Sequence, residues 1–96
     1  MTPQWYHLSG RVSSEAPEAV RPPLERFAGP HASIELTADG FQVEAEVEGE
    51  SARELNRRLL TELRRAEKRT RLRAEWTAGG RVERFFDYVP KGVRRV

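Results

Sequence analysis

There is no cysteine in these 96 residues, only one methionine, and only two histidines, His7 and His31. The missing thiols exclude a disulfide framework, a thiolate zinc site and cysteine catalysis, and they fit a reducing compartment. No uncharged apolar stretch approaches the roughly 20 residues of a membrane span. Met1-Thr2-Pro3-Gln4-Trp5 lacks the basic head and apolar run of a secretory signal. The expected location is therefore cytoplasmic. Large apolar residues are scarce too. Leu, Ile, Val and Phe make up 21 of 96 residues, just above the rough 20% level under which disorder becomes the default. A chain this short buries only about 60–65% of its unfolded surface. One modest core is the limit, assigned to a single α+β domain over residues 1–90 with a basic tail over 91–96.

Charge is plentiful and unevenly placed. The formal net charge is +2, yet residues 13–50 carry nine acidic side chains against Arg21 and Arg26, whereas 51–96 carry fourteen basic and six acidic ones. Such polarity is a reason to consider anionic partners, or mutual neutralisation of the two halves after folding.

Two stretches alternate with period two. Apolar residues fall at 32, 34 and 36, and again at 41, 43, 45 and 47, the pattern of half-buried antiparallel strands. Asp39-Gly40 between them signals a hairpin. A two-residue loop sets Leu36 opposite Val43 but also Glu35 opposite Glu44. A four-residue loop over 37–40 relieves that like-charge pair and keeps the faces. Both registers stay open. Ser51-Ala52-Arg53-Glu54 then reads as a capping box. Ala52, Leu55, Leu59, Leu63 and Ala66 follow as one stripe of a long amphipathic helix. Residues 71–76 alternate again, Ala78-Gly79-Gly80 turns the chain, and 81–89 reads as a last strand ended by Pro90. At the start, 5–12 alternates as a strand. Pro17 and Pro22-Pro23 interrupt any long helix after it, leaving a short one over 23–28 that ends at Gly29-Pro30.

The order of the first six elements, βαββαβ, looks like the ferredoxin-like split βαβ arrangement. That resemblance implies a two-layer sandwich with both helices on one face of an antiparallel sheet, the first strand between the third and fourth, and the additional C-terminal β-strand at one edge. The helix-facing set is then Tyr6, Leu8, Val12, Ile34, Leu36, Phe41, Val43, Val47, Leu72, Ala74 and Trp76, packed under Leu24, Phe27, Leu55, Leu59 and Leu63.

The uncovered face would carry Trp5, His7, Ser9 and Arg11, then Gln42, Glu44, Glu46 and Glu48, then Arg71, Arg73 and Glu75. The RNA-recognition module shares this topology but stacks bases on aromatics of its central strands. Three glutamates on the corresponding strand repel phosphate, which argues against that reading. The long helix offers candidate anion ligands instead, with Arg53, Arg57, Arg64 and Lys68 along one flank and Arg58, Arg65 and Arg69 along the other. Like-charge i,i+4 pairs there gain if phosphate neutralises them. The plainer alternative is internal neutralisation by Glu15, Glu18 and Glu25.

Enzyme signals are poor. His31 reads as a turn residue and His7 as one partner of a surface ion pair with Glu44 or Glu46. No triad, metal-ligand spacing or nucleotide motif is present, and no cofactor is implied. Trp5 should lie on the open face, as should Phe85 if Phe86 and Tyr88 take the core side. Exposed aromatics on an uncovered sheet suggest a contact surface, with Arg71 and Arg73 set against Glu44 and Glu46 across a twofold axis. The expectation is a non-enzymatic interaction module, a homodimer or a partner for another protein. The alternative is a nucleic-acid-associated protein using the basic helix and tail.

Overall fold

Alternation along the chain becomes one sheet. In the computed structural model, which describes residues 4–86, the elements run β1 (Gln4–Ser13), α1 (Pro17–Ala28), β2 (Ser33–Leu36), β3 (Gly40–Gly49), α2 (Ala52–Ala66), β4 (Arg71–Ala78) and β5 (Arg81–Phe86). The strands form an open antiparallel sheet in the order β2-β3-β1-β4-β5, so β1 lies between β3 and β4. The fold is α+β. The expected strand residues 87–89, with Tyr88, the stop at Pro90 and the basic tail 91–96 lie outside the described residues. Among those described, no helix is long and apolar enough to cross a membrane.

The even-numbered face of β1 supplies Tyr6, Leu8 and Val12 to the core, joined by Phe41, Val43 and Ala45 of β3 and Leu72, Ala74 and Trp76 of β4. Leu24 and Val20 of α1 and Leu55, Leu59, Leu60 and Leu63 of α2 close over them in the same cluster. Both helices therefore cover one sheet face. The α2 start is capped as its sequence requires, with the Ser51 hydroxyl accepting from the Glu54 amide at 3.1 Å.

Two expectations need correction, and one choice left open is resolved. The first helix is not confined to 23–28 but runs from Pro17 through Pro22 and Pro23 to Ala28. Pro17 sits where no amide donor is needed. Each interior proline removes a helical bond, at roughly 3 kcal/mol in an unpacked helix. Burial of Val20, Pro23, Leu24 and Ala28 along one stripe offsets that loss. The hairpin, whose register was open, takes the four-residue loop, pairing Leu36 with Phe41 and Glu35 with Gln42. The Thr37 amide donates to the Gly40 carbonyl at 2.9 Å. Second, Leu36 is not in the core but 72% exposed. Arg21 of α1 closes over the Phe41 ring, and Leu36 lies beyond that cover on the edge strand.

Candidate functional site

The sheet face that no helix covers has two chemically distinct ends. Strand register puts Trp5 opposite Glu48, His7 opposite Glu46 and Ser9 opposite Glu44. Further along, Arg11 lies opposite Arg73, and Ser13 opposite Arg71. The acidic side chains thus gather where β3 ends, and the basic ones gather where β4 begins. From Trp5 to Arg11 is six residues of strand, about 20 Å.

At the acidic end, His7 is held between two carboxylates. Its Nδ1 lies 2.6 Å from Glu46 Oε2 and its Nε2 lies 2.8 Å from Glu44 Oε1. With both ring nitrogens protonated, each donates one bond. These bonds, to Glu46 first and then Glu44, raise the His7 pKa above its ordinary value against a small opposing effect of desolvation. Glu44 also accepts from the Ser9 hydroxyl at 2.8 Å. That bond is the main cause of its depressed pKa, with His7 and Gln42 adding to it. The serine donates to the glutamate and not to the histidine, so no base stands ready to activate it. Neither imidazole nitrogen is free to take a proton from a substrate. Among the described residues, no group of three or more His, Asp or Glu side chains is arranged to hold a metal ion.

At the basic end, Arg11 and Arg71 are exposed and form no ion pair among the described residues. Together with Arg73, Ser13 and Asp39 they line a small depression of about 270 Å³.

The aromatic assignment is half right. Trp5 is 61% exposed on the open face. Phe85, expected beside it, instead pairs with core-facing Ala74 and packs against the core. Phe86, paired with Arg73, takes the open face at 64% exposure. Residue parity was sound, but the choice between adjacent phenylalanines needed the β4–β5 register, which no local pattern carries. Trp5 and Phe86 stand at opposite ends of the face, so they do not cover one another within the chain.

The candidate anion ligands do not form one flank. The α2 helix ends at Ala66, so Lys68 and Arg69 lie beyond it, and the expected helical like-charge pairs Arg64/Lys68 and Arg65/Arg69 do not exist. Arg64 turns back to donate to the Thr70 carbonyl at 2.9 Å. Arg65 pairs with Glu62, and Arg69 with Glu15. Glu25 pairs with Arg21 on its own helix. Internal neutralisation is therefore partial, and Arg53, Arg57 and Lys68 have no ion-pair partner among the described residues.

Glu67 was missed altogether. Its carboxylate accepts from the Ser14 hydroxyl at 2.8 Å and the Arg69 amide at 2.8 Å, joining the loops after β1 and α2. The Arg69 amide, then Ser14, depresses its pKa. Its partner Ser14 is 53 residues distant, so no sequence spacing announces it. The sequence matches no protein-family model, and no curated protein or solved structure is significantly similar to it.

Proposed function

We propose that this domain is a non-enzymatic assembly module of the cytoplasm that pairs with a second copy of itself through the uncovered sheet face. The observation that carries the reading is the coincidence of exposed aromatics with opposite charges. Trp5 stands at the acidic end and Phe86 at the basic end. A twofold axis in the plane of the interface, running obliquely across the strands, exchanges the two ends. Trp5 of one copy then meets Phe86 of the other, while Glu46 and Glu48 meet Arg11 and Arg71. Self-complementarity of this kind is what an isologous interface requires. The strand order supports reading β1 to β4 with the two helices as the ferredoxin-like arrangement, β5 being an added edge strand.

The size of the face sets the strength. Five strands about 4.8 Å apart and about 20 Å of strand length give roughly 500 Å² of projected face. That is below the roughly 800 Å² per partner of a standard stable interface, so the dimer is weak and concentration-dependent. Sedimentation velocity from about 10 μM to about 1 mM should show the mean mass rising toward twice the chain mass. Arg71→Glu or Glu48→Arg alone should weaken association, and the two together should restore it. A monomer across the whole range, or a double variant no better than either single, refutes the reading.

A further inference from the structure

On the side of the molecule away from the open sheet face, α1 and α2 pack alongside each other and leave a trough of about 570 Å³ between them. Arginines dominate its walls. Arg26 comes from α1, and Arg57, Arg58 and Arg65 come from α2, with Glu62 the only carboxylate among the lining residues. Glu62 is engaged by Arg65 at 3.1 Å. The nearest acid of α1, Glu25, is engaged by Arg21 at 2.9 Å. Arg26 and Arg57 form no ion pair among the described residues. The trough therefore keeps a local excess of three positive charges within a chain whose formal net charge is +2.

One of these cations is held in place by the core. The Arg58 guanidinium lies over the Phe27 ring, 5.6 Å from its centroid. Phe27 stands edge-on to Trp76 at 6.3 Å, and the Trp76 indole donates to buried Asn56 at 3.1 Å. The Arg58 guanidinium is thus seated at the trough wall on an aromatic pair that reaches into the core. Arg65, seven residues further along α2, lies about 10.5 Å beyond Arg58 on the same face of the helix. Clustered guanidinia repel one another unless an anion comes between them, and their forked donors match phosphate oxygens in pairs.

We propose that this trough binds the phosphodiester backbone of single-stranded nucleic acid, with the Arg58 plane as a surface on which a base stacks. The trough is a surface cleft and not an enclosed cavity, so a polymer can reach it. Backbone-tracking cations beside a flat stacking surface are the usual equipment for binding single strands without sequence preference. Of the seven basic residues that helical spacing nominated, Arg57 from one flank and Arg58 and Arg65 from the other belong to this site. Arg26 joins it from a helix 31 positions earlier in the chain. The site shares no residue with the proposed dimer face, so either reading can fail without the other.

The test is fluorescence anisotropy of a labelled single-stranded oligonucleotide with the whole chain, across about 20–200 mM salt. Three phosphate contacts, from Arg26, Arg57 and Arg65, predict a log–log salt slope near −2.1 for a single strand, and Arg26→Glu/Arg57→Glu should bring it to about −0.7. That variant should bind at least about tenfold more weakly at low salt. Arg53→Glu/Lys68→Glu makes the same charge change outside the trough and should stay within about twofold of the parent. Thermal melts of both variants confirm the fold. The more conservative Arg26→Lys/Arg57→Lys keeps charge but loses the fork, and should bind measurably less than the parent. The proposal is overturned by no binding at low salt, by equal weakening in both charge-reversed variants, or by poly-glutamate competing as well as the oligonucleotide.

Discussion

Asn56 gives the sharpest test of how the core is held together. It is 1% exposed on the inner side of α2, and its Oδ1 accepts from Trp76 Nε1 at 3.1 Å. Its Nδ2 is buried with no partner. An unmade buried donor costs about 1–3 kcal/mol, and a made bond contributes about 1 kcal/mol. Asn56→Ala removes the orphaned amide but strands the Trp76 N–H, so one unpaired donor replaces another. What remains is the lost hydrogen bond, about 1 kcal/mol, and the lost packing of the deleted atoms, about 1–2 kcal/mol. A loss of about 2–3 kcal/mol lowers the melting midpoint by about 10–20 °C in a domain of this size. Asn56→Leu strands the same indole yet fills the space with apolar atoms and favours the helix by a few tenths of a kcal/mol. It should fall within about 1 kcal/mol of the parent. Urea denaturation followed by circular dichroism measures both variants. If both variants lose about 1–3 kcal/mol more than this, Nδ2 is satisfied in solution, by water for example, and the exchange of orphans is wrong.

Two further outcomes follow from local geometry. A Cβ at Gly40 would lie 1.8 Å from the Val12 carbonyl oxygen and 2.8 Å from its carbon. Gly40→Ala must therefore spread β1 from β3 and break the turn bonds at Thr37 and Ser14, costing at least about 2 kcal/mol; a melting midpoint unchanged from the parent would contradict this. For His7, the raised folded-state pKa means its contribution to stability is full below the unfolded value near 6.5 and is lost as pH rises through the folded value. The depressed Glu44 pKa works oppositely: its contribution is present above the unfolded value near 4.5 and fades as pH falls through the folded value. NMR titration should place the His7 midpoint above 6.5, with Glu46→Gln lowering it more than Glu44→Gln. No change in either variant, or a midpoint at 6.5 in the parent chain, would contradict the bridged geometry.

Much of the architecture was legible before any coordinates. The alternation at 41–47 and 71–76, the Ser51 cap with the leucine stripe after it, and the glycine pair at 79–80 are all carried by residues within a few positions of one another. Both Gly79 and Gly80 adopt positive φ, as a tight turn between strands demands. Short-range periodicity is set by the geometry of a single strand or helix turn, so contiguous residues suffice to specify it. The uncovered face was legible for the same reason, since parity alone assigns Trp5, His7, Ser9 and Arg11 to one side.

Other features belong to the folded molecule. Pro22 and Pro23 argue locally for a broken helix, and burial of Val20 and Leu24 against distant strands overrode them. Leu36 has the right parity for the core and no cover above it. Phe85 and Phe86 were interchangeable until Ala74 paired with one and Arg73 with the other. His7 finds Glu44 and Glu46, 37 and 39 residues away, and Arg26 finds Arg57 across an interhelical cleft. In each case the deciding energy is a contact between residues far apart in the chain, where local propensities, about 1 kcal/mol or less per residue and about 3 for an interior proline, are outweighed by burial and pairing. The charge map, and with it any role for this domain in binding, is written in those long-range contacts.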